Sequence, residues 1–305
     1  MARLTSIEEL ENLLEMLRED EEPGKPCIVM CAGTACQASG SSETIRAVKK
    51  RMIERGLQDS LRIRVTGCHG FCEMSPFILT EPQGAFYTKV KTEDVPGIVD
   101  AVLAGEYVEE LLYGDPLTGK KYKRLDDIPF FKHQSRLLLG MNQKIDPIRI
   151  LDYLANGGYG ALGGILSRGD RPWVVSEMKK SGLRGRGGAG FPTGLKWELL
   201  AKQPSNRGKF VVCNADEGDP GAFMDSGLLE GNPHSIIEGM LIGAYATGAT
   251  EGGVYVRAEY PLAIKNLTIA LGQAADMGLV GRDILGTGFS FDISITRGAG
   301  AFVCG

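Results

Sequence analysis

The chain has 305 residues, of which 43% are hydrophobic and 24% are charged, and its formal net charge at pH 7 is −4. This length predicts about two globular domains, and the charge gives no basic footprint for nucleic acid. No apolar run approaches the roughly 18 residues of a membrane-spanning helix. We therefore expect a folded cytoplasmic protein with no nucleic-acid partner and no membrane span.

Residues 1–20 predict a helix and not a signal peptide. Ser6 and Glu9 have the spacing of a capping box. An apolar stripe follows at helical spacing, formed by Ile7, Leu10, Leu14 and Leu17. Acidic side chains interrupt every apolar stretch, which excludes the continuous apolar region of a secretory leader.

The first domain, with its leading helix, is expected to span residues 1–113. Strands are predicted where apolar runs are short or alternate with polar residues, at 27–31, 61–65, 77–80 and 85–90. Two helices are predicted by cap signals and apolar spacing. The first has Ile45, Val48, Met52 and Ile53 as its apolar positions, and the second has Val95, Ile98, Val99 and Val102. The order β-α-β-β-β-α is typical of a small thioredoxin-like domain.

Residues 114–150 are expected to form a connector, because they begin with turn and charge clusters and lack a sustained period. Phe130, Phe131 and the leucines at 137–139 need burial, so we expect the connector to pack across the domains. Near its end, Asp146 as N-cap and Pro147 at the first helical position predict the start of a helix that ends at Gly157.

Residues 151–305 are expected to form a second α/β domain, because helical and strand patterns alternate along them. The predicted strands are 209–215, 252–259 and 289–298. Such alternation predicts a mostly parallel sheet with helices on both faces. The chain stops soon after the last strand, so we expect this domain to be incomplete at its C-terminus.

Four of the seven cysteines form two close pairs, Cys31 with Cys36 and Cys68 with Cys72. Each pair follows a predicted strand, so two loops at one end of a sheet can bring four thiolates together. Soft thiolates select zinc or iron–sulfur clusters. The spacings are wider than the C-x2-C knuckle of structural zinc and favour a [2Fe–2S] cluster, with zinc as the alternative.

His69 and the three remaining cysteines are not expected to bind the metal. His69 lies between the second pair of cysteines and is expected to be a loop neighbour, because four cysteines already complete a ligand set. Cys27, Cys213 and Cys304 lie in apolar strand contexts and are expected to act as small buried hydrophobes.

The stretch 182–197, GLRGRGGAGFPTGLKW, contains the G-x-G-x-x-G spacing of a dinucleotide-binding loop at Gly185, Gly187 and Gly190. A Rossmann fingerprint requires a strand before this loop, and the preceding residues predict a helix. Arginines, a lysine and a following helix N-terminus favour an anion instead. We therefore expect a mononucleotide phosphate cradle, with a solvated flexible loop as the alternative.

Acidic residues follow the predicted strand 209–215, at Asp216, Glu217 and Asp219. Carboxylates at the C-terminal end of a parallel strand lie where open α/β sheets bind ligands. They can accept hydrogen bonds from ribityl or ribose hydroxyls. Helix capping and a Mg²⁺ site are the alternatives.

Four stretches together resemble the NADH-binding flavoprotein subunit of respiratory complex I and its soluble relatives. They are GLRGRGGAGFPTGLKW at 182–197, CNADEGDPGAFMD at 213–225, EGNPHSIIEGM at 230–240 and RGAGAFVCG at 297–305. The fused four-cysteine domain is similar to the one in NAD(P)-linked, often electron-bifurcating, hydrogenases and formate dehydrogenases. The resemblance implies an N-terminal thioredoxin-like ferredoxin domain followed by a Rossmann-like α/β FMN-binding domain.

The resemblance also implies site residues. The glycine loop would hold FMN, and Phe191 would stack on the NADH adenine. The full set of implied cofactor contacts is Gly185, Arg186, Gly187, Gly188, Phe191, Lys196, Asn214, Asp216, Glu217, Asp219, Phe302 and Gly305. Leu199 stands where the family usually has an aromatic residue, and Phe302 where it usually has tyrosine. The family continues past Gly305 with a region that bears a [4Fe–4S] cluster.

The function implied is electron input in a soluble multi-subunit oxidoreductase. Hydride would pass between NAD(H) and FMN, and single electrons would pass through iron–sulfur clusters, with no side-chain acid or base required. The implied partners are subunits of a hydrogenase, a formate dehydrogenase or a related complex. The resemblance does not decide between bifurcating and non-bifurcating chemistry. The alternatives are a [2Fe–2S] electron-carrier or docking subunit without functional flavin, and a zinc-bearing module attached to a phosphate-binding enzyme.

Overall fold

The structure is a computed structural model that describes residues 3–19, 22, 24–204, 206, 208–219 and 221–300. Its contacts divide the chain into two compact units. The parallel-sheet unit comprises Met1–Asp20, Ile148–Leu229 and Pro233–Gly305. The cysteine unit comprises Glu21–Pro147 and Glu230–Asn232. Among the described residues, no helix has the length and apolarity needed to cross a bilayer.

The N-terminal helix α1 spans Ile7–Glu19 and belongs to the parallel-sheet unit. The amide N–H of Glu9 donates to Ser6 Oγ at 3.2 Å, so Ser6 is the predicted N-cap. Glu9 in turn accepts from the amide of Thr5 at 2.6 Å. Two residues of the predicted stripe, Leu10 and Leu14, are buried.

The cysteine unit contains a four-stranded sheet in the order β2-β1-β3-β4. The strands are β1 Cys27–Cys31, β2 Arg62–Thr66, β3 Ile78–Glu81 and β4 Phe86–Tyr87, and the helices are α2 Thr34–Ala38, α3 Ser41–Glu54 and α4 Val95–Ala104. Strands β1 and β2 are parallel, and the other pairs are antiparallel. This is the predicted element order. One predicted apolar position of α3 is wrong, because Ile53 is 68% exposed.

Residues 113–147 belong to the cysteine unit. They form a two-stranded ribbon of β5 Tyr113–Gly114 and β6 Lys121–Tyr122, followed by the single-turn helix α5 Pro129–Lys132. Phe131 is buried as expected. The expectation is wrong for Phe130, Leu137 and Leu138, which are 43%, 91% and 52% exposed. Adjacent residues of a helix point about 100° apart, so one turn cannot bury both phenylalanines on one side.

The predicted helix at Asp146 begins later than expected. Asp146 is in neither helix nor turn, Pro147 and Ile148 lie in a turn, Arg149 is extended at φ −128° and ψ 97°, and α6 spans Ile150–Ala155. The helices that follow are α7 Gly160–Arg168, α8 Arg171–Lys180, α9 Thr193–Lys202, α10 Met224–Gly231, α11 Pro233–Thr247 and α12 Pro261–Asp276. All lie in the parallel-sheet unit except Glu230 and Gly231, the last two residues of α10. The strands of this unit are β7 Phe210–Ala215, β8 Glu251–Val256 and β9 Asp292–Arg297.

The three strands are parallel and lie in the order β7-β8-β9, as predicted for parallel pairing. The prediction that helices cover both faces is wrong for the described residues. Phe210 and Val212 on one face of β7 are 54% and 69% exposed, while Val254 on β8 is fully buried. Right-handed crossovers that advance in one direction place their helices on the same face, so neither connection between these strands covers the other face.

Helix α1 packs on α6 and α7. Gly163 of α7 permits the close approach, because a Cβ there would lie only 3.2 Å from Leu10 Cδ2. A Cβ at Gly160 would lie in ordinary contact with Leu14 Cδ1, at 3.5 Å. The leucines of the N-terminal helix therefore fill space that larger side chains on α7 would occupy.

A buried carboxylate organises the helices of this unit. Glu238 on α11 is 6% exposed and accepts three hydrogen bonds. The donors are Tyr153 Oη at 2.6 Å, the amide of Tyr159 at 2.8 Å and the amide of Leu162 at 3.1 Å. Two of these donors are backbone groups at the start of α7, so Glu238 caps that helix from a distance of more than seventy residues along the chain.

His234 extends this network and predicts a dependence of stability on pH. Its Nδ1 lies 2.9 Å from Tyr159 Oη, and its Nε2 lies 3.3 Å from Gln273 Oε1. Burial lowers the pKa of His234 from 6.5 to about 4, so the folded unit holds a neutral ring where the unfolded chain takes up a proton. The free energy of unfolding therefore has its full value above pH 6.5. It falls by up to about 3 kcal/mol as the pH decreases towards 4, because the unfolded chain takes up a proton that the folded unit does not.

The measurement is the free energy of unfolding against pH, followed by tryptophan fluorescence. Both tryptophans, Trp173 and Trp197, lie in the parallel-sheet unit, so the signal reports on that unit. His234→Gln is expected to flatten the curve between pH 6.5 and 4. An unchanged slope in this variant would show that another group causes the acid sensitivity.

Candidate cysteine centre and flavin site

The four predicted cysteines converge in the cysteine unit. Cys31 ends β1, Cys36 lies in α2, and the other pair follows β2, with Cys72 at the start of a 3₁₀ turn. Cys31 Sγ lies 2.9 Å from Cys36 Sγ, and Cys68 Sγ lies 3.3 Å from Cys72 Sγ. The loops that follow β1 and β2, which are adjacent parallel strands, thus place all four thiols together, as the spacing predicted.

Hydrogen bonds among the four thiols lower the pKa values of two of them and raise those of the other two. Hydrogen bonding to Cys31, followed by Cys72, lowers the pKa of Cys36 to about 4 and that of Cys68 to about 2. Hydrogen bonds to the same two thiolates raise the pKa values of Cys31 and Cys72. The amide of Gly70 also donates to Cys68 Sγ at 3.2 Å. The site therefore stabilises thiolate, which is the form that binds metal.

The His69 ring packs inside the cysteine unit and is paired with Thr66. Its ring is fully buried, and its Nε2 lies 2.7 Å from Thr66 Oγ1. Burial lowers its pKa to about 3, so the ring is neutral at physiological pH. Its carbonyl oxygen accepts from the Arg136 guanidinium at 2.6 Å, and that guanidinium stacks over Phe131 at 4.7 Å. His69 and Arg136 thus hold the second cysteine loop in place.

The three residues Glu230–Asn232 also support the cysteine loops. Both oxygens of Glu230 accept from Thr34, one from its amide at 3.0 Å and one from its hydroxyl at 2.5 Å. Thr34 lies between the first two cysteines. In the second loop, a Cβ at Gly67 would collide with the backbone of Gly231, so only glycine permits this approach. Thr34 and Glu230 were not predicted, because they are 196 residues apart in the chain.

The donor set fits a [2Fe–2S] cluster. Four thiols in two pairs match the ligand number of such a cluster, and backbone N–H groups near the sulfur atoms tune its potential. These cysteines would hold the two irons, and the cluster would supply one-electron chemistry.

The glycine loop lies between helices α8 and α9, which confirms that no strand precedes it. The loop closes on itself: the amide of Gly185 donates to the carbonyl of Phe191 at 2.9 Å, and the Arg184 guanidinium donates to the carbonyl of Gly190 at 3.1 Å. Gly188 has φ +97°, a left-handed conformation that favours glycine. The loop is therefore a defined hairpin and not an open linker.

Two basic side chains in the region of the glycine loop are available to bind an anion. In the part of the chain that the structure describes, the exposed side chains of Arg186 and Lys196 have no ion pair or hydrogen bond. Lys196 lies in the first turn of α9, at the positive end of the helix dipole. Phe191 is 42% exposed. These features suit a phosphate, which is what the sequence predicted for the loop.

The acidic residues lie at the C-terminal end of β7, as predicted, but they differ in what they do. Both oxygens of Glu217 accept from first-turn amides of α10, with the amide of Met224 at 2.7 Å and that of Ser226 at 3.3 Å. Glu217 is thus a helix cap, one of the alternatives the sequence left open. Asp216 is buried, and its amide donates to Asn214 Oδ1 at 3.0 Å. Asp219 is exposed.

The predicted contacts Phe302 and Gly305 lie outside the described residues. The roles of Gly185, Arg186, Gly187, Gly188, Phe191, Lys196, Asn214, Asp216, Glu217 and Asp219 toward a flavin stay predictions. The structure gives each its local geometry, and Glu217 has a structural role of its own.

Two protein families match this chain. Residues 178–305 match the Nuo51 FMN-binding domain, and residues 5–103 match the thioredoxin-like [2Fe–2S] ferredoxin. The first match contains the glycine loop and the end of β7, and the second contains all four cysteines of the centre.

Several curated proteins are similar to about half of the chain. The NADP-reducing hydrogenase subunit HndC of Solidesulfovibrio fructosivorans is 56% identical over 161 residues, which cover 53% of this chain and 32% of that protein. An NADH-quinone oxidoreductase subunit of Rhizobium meliloti is 48% identical over 50% of this chain and 36% of that protein. An NADH-quinone oxidoreductase subunit of Escherichia coli is 42% identical over 52% of this chain and 36% of that protein. The aligned part of this chain thus spans about a third of each relative's length.

Proposed function

Because residues 178–305 match the Nuo51 FMN-binding domain and residues 5–103 match the thioredoxin-like [2Fe–2S] ferredoxin, we propose that this chain forms the electron-input part of an NAD(H)-linked oxidoreductase. FMN would supply the conversion between hydride transfer and single-electron transfer. The observation that carries the proposal is the convergence of four thiols in a chain that also holds the flavin-family glycine loop.

The residues of the glycine loop would bind and orient the flavin. Arg186 and Lys196 supply uncompensated positive charge beside the N-terminus of α9, which favours the flavin phosphate. Gly187 and Gly188 carry no side chain, so a ring can approach their backbone. A Cβ at either would meet nothing within 4 Å, which leaves open space on this side of the loop.

Asn214 and Asp216 would contact the flavin from the end of β7, and Phe191 would offer its exposed ring to an adenine. We propose NAD(H) as the nicotinamide substrate, by analogy with the NADH-quinone oxidoreductase subunits among the relatives. The partner subunits are part of this proposal, and by analogy with the relatives they would belong to a hydrogenase or to an NADH-quinone oxidoreductase.

The test is FMN binding to the purified chain, measured by quenching of flavin fluorescence, followed by bleaching of the flavin band on addition of NADH. The double variant Arg186→Glu, Lys196→Glu is expected to weaken FMN binding by about tenfold or more, because it places two carboxylates where a phosphate would lie. Lys202→Glu, Lys265→Glu is the matched control, with the same change of charge on exposed helix positions.

The outcomes separate the proposed function from its alternatives. Equal affinity in the two double variants would remove the glycine loop from the flavin site. A chain that carries a full iron–sulfur cluster but neither binds FMN nor responds to NADH would favour an electron-carrier or docking subunit. Stoichiometric zinc in place of iron would favour the zinc-bearing module.

A further inference from the structure

A group of lysines surrounds one cavity in the cysteine unit. The cavity has a volume of about 430 Å³ and lies beside β6 and α5. Its charged lining consists of Lys120, Lys121, Lys123, Lys132, His133 and a single carboxylate, Asp127. We call the surface formed by the four lysines together with Phe130 the lysine face. It stands out in a chain whose formal net charge is −4.

None of the four lysine ammonium groups lies within 4.0 Å of a carboxylate anywhere in the described ranges, although Asp127 shares the cavity lining. Lys120 lies over the ring of Tyr122 at 4.9 Å, and Lys123 lies over Tyr107 at 4.0 Å. Lys121 donates to the carbonyl of Glu109 at 2.9 Å. These neutral partners orient the ammonium groups without cancelling their field.

Apolar side chains occur in the same region. Phe130 is 43% exposed and lies on α5, between Pro129 and Lys132. Leu137 and Leu138, which follow α5 closely in the chain, are 91% and 52% exposed. An exposed aromatic residue with charged groups around it suits a protein–protein interface, in which aromatic residues are enriched and the rim is polar.

The lysine face is adjacent to the cysteine centre through two aromatic rings. Phe130 stacks on Phe71 with a centroid distance of 4.7 Å and an interplanar angle of 23°. Phe71 directly precedes Cys72 in the chain. A protein bound over Phe130 would therefore be separated from a cysteine ligand only by two stacked rings and one peptide bond.

We propose that the lysine face is the docking site of a small acidic one-electron carrier protein with its own iron–sulfur centre. One electron would leave one centre and be gained by the other, with no bond made or broken and no proton transferred. Charge complementarity selects an acidic partner and speeds its encounter, and contact at Phe130 brings it close to the cysteines. The redox class of the partner rests on the proposed function, whereas the docking site itself does not.

The test measures the affinity of the full chain for an acidic bacterial-type ferredoxin by biolayer interferometry. Lys120→Glu, Lys132→Glu is expected to weaken binding by about tenfold or more at about 50 mM NaCl, because like charges oppose each other at the interface. Lys49→Glu, Lys50→Glu on α3 is the matched control, since it changes the net charge equally and touches no residue of the cavity. Its affinity is expected to stay within about twofold of the unsubstituted chain.

Salt and competing polyanions complete the experiment. Affinity of the unsubstituted chain is expected to fall steeply as NaCl rises from about 50 to about 300 mM, where screening shortens the range of charge. Equal weakening in the two double variants, or no weakening in either, would overturn the docking site. So would displacement of the ferredoxin by a single-stranded oligonucleotide or an anionic vesicle at comparable concentration, since that behaviour marks a general polyanion surface.

Failure of the proposed function gives a different result. Ferredoxin binding requires neither FMN nor NADH. A chain that binds ferredoxin through the lysine face but shows no NADH-dependent bleaching of flavin would refute the proposed activity and retain the docking site. A chain whose flavin responds to NADH, but whose lysine variants bind ferredoxin normally, would refute only the docking site.

Discussion

Replacing Cys68 by serine is expected to remove most of the iron–sulfur absorbance of the protein and most of its iron and acid-labile sulfide. Iron–sulfur clusters are held by soft thiolate ligands, and serine offers a hard oxygen instead. Cys68 is also the thiol that receives the amide hydrogen bond of Gly70, and its pKa is lowered to about 2. The measurement is the visible spectrum of anaerobically purified protein, with chemical assays of iron and sulfide.

Cys213→Ser is the matched control for this substitution. Cys213 lies on β7 in the parallel-sheet unit, and burial raises the pKa of its thiol to about 11, so it stays protonated. Its removal is expected to leave the iron content unchanged. A full cluster in Cys68→Ser would contradict the assignment of this ligand, and a colourless unsubstituted protein with stoichiometric zinc would contradict the cluster itself.

Glu238→Ala is expected to lower the free energy of unfolding of the parallel-sheet unit by about 3–5 kcal/mol. The substitution leaves the hydroxyl of Tyr153 and the amides of Tyr159 and Leu162 without their acceptor. Each unsatisfied buried donor costs about 1–3 kcal/mol. The measurement is urea unfolding followed by the fluorescence of Trp173 and Trp197, which reports on this unit.

Two further variants separate the effect of losing the buried hydrogen bonds from the effect of losing a negative charge. Glu238→Gln keeps the shape and one carbonyl oxygen, so its effect is expected to be intermediate. Glu198→Ala removes a carboxylate that pairs with Lys179 and Lys202 at the surface, and exposed pairs of this kind contribute little. If Glu238→Ala and Glu198→Ala shift the urea midpoint equally, the buried network is not what stabilises the unit.

Local patterns predicted most of the elements correctly. The order of strands and helices in the cysteine unit and the parallel pairing of β7 to β9 follow from apolar periodicity, which is imposed by burial on one side of each element. The thioredoxin-like fold and the FMN-binding domain are confirmed by the two family matches. The cysteines converge because the loops that follow β1 and β2, two adjacent parallel strands, lie at the same end of the sheet.

The errors arise where burial is decided by distant parts of the chain. Leu137 and Leu138 have the composition of core residues but are exposed, because composition does not say whether another element will cover a segment. The exposed face of β7 depends on the direction in which successive crossovers advance, and the alternation of helix and strand does not contain that direction. The helix expected at Asp146 begins only at Ile150, because Pro147 and Ile148 form a turn and Arg149 is extended.

The contacts made by Glu230 lie beyond local patterns altogether. Its hydrogen bonds to Thr34 join residues that are 196 positions apart, and nothing near Thr34 signals them. The motif EGNPHSIIEGM contains Glu230, Gly231 and Glu238 and carries part of the family resemblance. The structure gives those residues physical tasks: one carboxylate holds a cysteine loop, one glycine permits close backbone contact, and one carboxylate caps a helix.

The packing of α1 bears on how such chains can exchange modules. The ferredoxin family match begins at residue 5 and so includes α1, yet this helix packs on α6 and α7 of the parallel-sheet unit. The cysteine unit is therefore inserted between the first helix and the remainder of its host. A recombinant chain that swaps residues 1–113 as one block would separate Leu10 and Leu14 from Gly163 and Gly160, whereas a swap that begins after Glu19 would keep them together.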